Sequence, residues 1–69
     1  MNKIELTIKE FEIKFSIQFK PTQEFYKRVG IGRKRFAQLV RNEVSATIEE
    51  LTELKDYFGL TEISQLYEK

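Results

Sequence analysis

The sequence predicts an α+β fold: an N-terminal β-hairpin, or one long bulged strand, followed by a small helical domain of about four helices. Apolar residues alternate with polar ones over the first nineteen positions, the period of a half-buried strand. After Pro21 they recur at i, i+3, i+4 instead, the period of an amphipathic helix. Thr and Gly residues punctuate that second part where helices begin and end. The 69 residues are read as a single domain, residues 1–20 forming the β region and residues 21–69 the helical part.

Ile4, Leu6 and Ile8 form one alternating set, and Phe11, Ile13, Phe15, Ile17 and Phe19 another, with a change of parity at Lys9-Glu10. A helix would put Ile4, Ile8, Phe11, Phe15 and Phe19 on one face. It would also leave Leu6, Ile13 and Ile17 together in water. The strand reading uses all eight positions, and β-branched and aromatic residues favour it.

A chain reversal at Lys9-Glu10 pairs Ile8 with Phe11, Leu6 with Ile13 and Ile4 with Phe15 on one side of a hairpin. Glu5 then faces Lys14 across it. Lys-Glu is poor chemistry for a two-residue turn, so a single strand with a bulge there is the alternative. Neither form is stable alone in water. Its apolar face must cover the helices or pair with a second copy, which makes Ile4, Leu6, Ile8, Phe11, Ile13 and Phe15 the expected interface of a homodimer.

Lys20-Pro21 ends the β region, and Thr22 is a suitable N-cap for a helix running to about Val29, with Phe25 and Val29 inward. Gly30 supplies the freedom that a tight turn needs. Gly32 caps a second helix, about Arg33 to Asn42, and Ile31 and Phe36 occupy the positions of a hydrophobic staple. Phe36, Leu39 and Val40 point inward, while Arg33, Lys34, Ala37, Gln38 and Arg41 form the outward stripe. Thr47-Ile48-Glu49-Glu50 is a capping box opening a third helix, with Ile48, Leu51, Leu54 and Phe58 as its core stripe and Gly59 as its stop. Thr61 is placed to cap a last short helix that buries Ile63, Leu66 and Tyr67.

Composition narrows the chemistry. The chain has no Cys and no His, which removes disulfides, zinc–thiolate sites, thiol catalysis and the commonest general base. An enzyme is not expected, and no cofactor, metal or small-molecule substrate is suggested. No apolar run approaches the ~18 residues of a membrane span, so no membrane partner is expected and a cytoplasmic location is the default. Charge is sorted along the chain. Lys20 to Arg41 holds seven Lys or Arg against the single acid Glu24, a net of +6. Asn42 to Lys69 is −5, and Met1 to Phe19 is neutral. A polyanion is drawn to the middle third.

The outward stripe holds side chains that read bases in a major groove. Arg and Lys donate to guanine, Gln is bidentate to adenine, and Ala37 is small enough to touch a thymine methyl. Its order of parts resembles the Cro/CI-type (lambda-repressor-like, XRE-like) helix-turn-helix domain. The resemblance runs from about Pro21 to Tyr67. It rests on Thr22-Gln23-Glu24-Phe25, the turn Val29-Gly30-Ile31, the helix from Arg33, Ser45-Ala46-Thr47-Ile48-Glu49-Glu50-Leu51 and Tyr57-Phe58-Gly59-Leu60. It implies that Arg33, Lys34 and Gln38 contact base edges of double-stranded DNA. It further implies that Thr22 and Gln23, with Lys27, Arg35, Arg41 and Asn42, hold phosphates. Tyr26 departs from the pattern, standing where the family usually has a small residue, and the family's first helix is replaced by the β region. The function expected is that of a sequence-specific transcriptional repressor or regulator, dimeric and nucleoid-associated. The alternative is a protein-interaction module of the same fold, antitoxin-like or regulator-binding, that does not itself bind DNA.

Overall fold

The computed structural model describes residues 2–66, and these form four α-helices and one 3-10 turn with no strand among them. The expected α+β fold is therefore corrected to an all-helical one. The helices are α1 (Lys3–Phe15), α2 (Gln23–Val29), α3 (Arg33–Val40) and α4 (Ile48–Phe58), followed by a 3-10 turn at Ile63–Gln65.

The segment expected as a hairpin is α1, held by caps at its ends and by contacts with other segments. Asn2 caps it, its side chain accepting the Glu5 N–H at 2.8 Å. The same amide donates to the Leu39 carbonyl at 2.6 Å, which ties the start of α1 to α3 and satisfies a buried polar side chain. Ser16 ends the helix in the left-handed region at φ 54°, and the Ile17 N–H reaches back to the Glu12 carbonyl. As a helix the segment buries Ile4 and packs Ile8 on the core. It also brings Phe11 against Phe15, Phe19 and Phe58, with ring centroids 4.8, 6.0 and 5.3 Å apart. A hairpin would have needed a Lys-Glu turn in an unfavourable conformation and would have broken this aromatic stack. The helix leaves Leu6, Ile13 and Ile17 exposed, the cost identified for it from the sequence.

The remaining helices follow their caps. Thr22 Oγ1 accepts the Phe25 N–H, Gly30 closes α2 at φ 68°, and Thr47 and Glu50 form the reciprocal capping box of α4. Phe25, Val29, Ile31, Phe36, Leu39, Leu51, Leu54 and Leu66 meet in one core with Ile4. Burial of that kind is worth roughly 1.5–3 kcal/mol per large side chain. Tyr26, the departure from the family pattern, lies edge-on to Phe25 and Phe36 at 5.3 and 6.0 Å.

Three smaller expectations are corrected. The second helix of the turn stops at Val40, because Asn42 takes a left-handed conformation at φ 62° and the Glu43 N–H closes on the Gln38 carbonyl. Ile48 is 58% exposed; standing first in α4, it precedes the stripe that Leu51 and Leu54 bury. Thr61 does not cap a last α-helix: the Gln65 side chain accepts the Thr61 and Glu62 N–H groups around the short 3-10 turn. Tyr67 lies outside the described residues. Among the described residues no helix is long and apolar enough to cross a membrane.

Candidate nucleic-acid interface

α3 is positioned from both ends. On its N-terminal side the chain turns at Gly30, buries Ile31 and enters the helix at Gly32. On its C-terminal side Asn2 grips the Leu39 carbonyl. Phe36 and Leu39 are buried, which fixes the helix's rotation and decides what faces out. Arg33 and Lys34 are exposed, and Ala37 and Gln38 are half-buried. The four residues expected to contact bases thus share the outer side of one short helix.

The electrostatics of its first turn are unusual within this molecule. α1, α2 and α4 each carry an acid there: Glu5, Glu24, and Glu49 with Glu50. Such acids stabilise the positive end of the helix dipole. α3 has none, and begins instead with Arg33, Lys34 and Arg35. Gly32 contributes no side-chain acceptor either, so no side chain caps the opening N–H groups. Cations at this end cost about 0.3–1 kcal/mol each. The first turn of α3 is thus the helix start in this molecule that presents cations and no acid.

Arg35 is different from its two neighbours. Its guanidinium makes a bidentate pair with Glu50, Nε to Oε2 and Nη2 to Oε1 both at 3.0 Å, and Nη2 also donates to the Ser45 carbonyl. Glu50 uses the same Oε1 to accept the Thr47 N–H at 2.8 Å. The Arg35 hydrogen bonds hold the Glu50 carboxyl below the usual range against the opposing push of partial burial, helped by Thr47. Arg35 therefore braces α3 against the start of α4, where a phosphate contact was expected. No spacing rule links residues so far apart, so this role was invisible in the sequence. Asn2 was missed as well, although Asn2-Lys3-Ile4-Glu5 has the cap-and-acid spacing that marks a helix start.

The other expected phosphate residues divide. Lys27 and Gln23 are exposed, and Thr22 is exposed while capping α2. Arg41 is exposed but paired with Glu43 at 2.7 Å. Asn42 supplies the left-handed residue that ends α3. Among the described residues, no ion pair engages Arg33, Lys34 or Lys27. The six residues expected to form a dimer ribbon do not share a face. Ile4 is buried, Ile8 and Phe11 are half-buried beside it, and Leu6 and Ile13 point to the other side of α1. Phe15 is 54% exposed, its ring against Phe11 and under the Lys14 ammonium.

No protein-family model, curated protein or solved structure matches this chain.

Proposed function

We propose that this chain is a sequence-specific double-stranded DNA-binding protein, a transcriptional repressor or regulator that lays α3 in the major groove. The observation that carries the reading is the cationic, acid-free first turn of α3, with Arg33 and Lys34 exposed and, among the described residues, in no ion pair. A helix with its side chains is about 10–12 Å across and the major groove is about 12 Å wide, so a short exposed helix fits it. In this reading Arg33, Lys34, Ala37 and Gln38 face base edges. Lys27 and Gln23, with Thr22, approach one strand's phosphates, and Arg41 is recruited when a phosphate displaces Glu43. Arg35 works indirectly, by keeping α3 at a fixed angle to α4. Its place of work is the cytoplasm, on the nucleoid.

Fluorescence anisotropy with a random duplex of about 30 base pairs, at 50 and 200 mM salt, tests this reading. Each phosphate neutralised adds about −0.9 to the log–log salt slope, so several contacts give a steep fall in affinity. Selection of a preferred duplex would follow, and Gln38→Ala should then relax preference at one base pair at a cost of about 1–3 kcal/mol. Absence of binding at 50 mM salt overturns the reading and favours the alternative, an interaction module whose ligand is a protein.

A further inference from the structure

The outer face of α1 carries apolar surface that the core does not use. Ile13 is 80% exposed, Ile17 50% and Leu6 43%. Leu6 and Ile13 lie two turns apart on one stripe, opposite the buried Ile4. Ile17 follows the helix end and shares a shallow hollow with Ile13, lined also by Lys9, Glu12 and Gln18. We infer that this face binds the same face of a second copy, with the two α1 helices antiparallel about a twofold axis beside Ile13.

Charge and spacing select that occupant. An antiparallel twofold keeps each flank of the stripe beside itself in reverse order. Glu10 and Lys14 lie on one flank, a single turn apart, and the axis passes between them. Glu10 therefore meets Lys14 of the second copy, and the pair occurs twice. Along the stripe Ile13 lies one residue from the axis and meets Ile13 of the second copy across it. Leu6 comes opposite the C-terminal end of the second copy's α1, beside the hollow that Ile13, Ile17 and Gln18 line. The segment as a whole is neutral, Lys3, Lys9 and Lys14 balancing Glu5, Glu10 and Glu12, so two such faces approach without net repulsion. The basic middle third and the acidic C-terminal third do not have this property. The inference is independent of DNA binding and is tested without DNA.

Sedimentation equilibrium of the full chain over micromolar to millimolar concentrations should show the mass rising from 8.3 kDa toward twice that value. Ile13→Lys, at an exposed position, should keep the helical circular dichroism and remain monomeric. Glu10→Lys and Lys14→Glu should each weaken the dimer roughly ten-fold, and the double exchange should restore it. Because the chain has no Cys, Ile13→Cys should oxidise to a linked dimer while Leu6→Cys should not. Mixing Leu6→Cys with Ile17→Cys should link the two. A chain that stays monomeric throughout overturns the inference. Linkage through Leu6→Cys alone, or failure of the charge exchange to restore pairing, overturns the antiparallel arrangement.

Discussion

α1 and α3 touch each other through Asn2 and the Leu39 carbonyl, yet they treat their outer faces in opposite ways. α1 is built for stability at its ends, with a side-chain cap and an acid in its first turn, and it leaves apolar surface outside. α3 has no side-chain cap, starts with three cations and shows no large apolar residue to water. Among the described residues, the Glu50 carboxylate on Arg35 relieves α3, and it leaves Arg33 and Lys34 outside the pair. A face whose charges oppose its own helix dipole suits an anionic ligand, and an uncharged apolar stripe suits a second protein surface. The two helices are thus proposed to take two different partners.

The strongest way to break that contrast is to give α3 the first turn the other helices have. Arg33→Glu with Lys34→Glu should abolish measurable DNA binding, since each lost contact is worth about 1–3 kcal/mol before repulsion is added. The same variant should melt no lower than the parent and gain up to about 0.3–1 kcal/mol per site, read by thermal denaturation. Loss of both binding and stability would mean that the cations serve the fold.

Removing the joint between the helices comes next. Asn2→Ala deletes the α1 cap and strands the Leu39 carbonyl, and should cost about 1–3 kcal/mol in urea denaturation. Ser16→Gly acts in the other direction on the same helix. It relieves a left-handed side chain at φ 54° and should stabilise by about 0.5–1 kcal/mol.

The smallest effect concerns the brace behind α3. The folded protein holds the Glu50 proton less tightly than the unfolded chain does, because Arg35 and Thr47 hydrogen-bond the carboxylate. That part of the stability is present above the ordinary carboxylate pKa of about 4.3 and is lost as pH falls through the lowered folded value. Urea midpoints measured from about pH 6 to pH 2 should therefore fall less steeply for Glu50→Gln than for the parent. An unchanged slope would remove the Arg35 brace from the folded state in solution.

Much of the helical part was legible because caps are local. Thr22, Gly30, Gly32, Thr47 and Gly59 mark their boundaries through side chains or backbone freedom that need no distant partner. The outward placement of Arg33 and Lys34 followed from the inward spacing of Phe36 and Leu39 in the same way. α1 was misread because Ile4, Ile8, Phe11 and Phe15 satisfy both periods, and counting Leu6 and Ile13 as buried as well favours the strand. The deciding facts were tertiary: the Phe19 and Phe58 rings that pack on Phe11, and the Leu39 carbonyl that Asn2 holds, lie on other segments. The Arg35–Glu50 pair was out of reach for the same reason.

The most direct measurement is a heteronuclear NMR titration of the labelled chain with a 30-base-pair duplex at low salt. Binding through α3 should perturb the backbone amides from Gly32 to Gln38 together with Lys27, while Leu6 and Ile13 stay where they are. Perturbation centred on α1 or on the acidic face of α4, with α3 unmoved, would contradict the assignment of α3 as the DNA-reading helix.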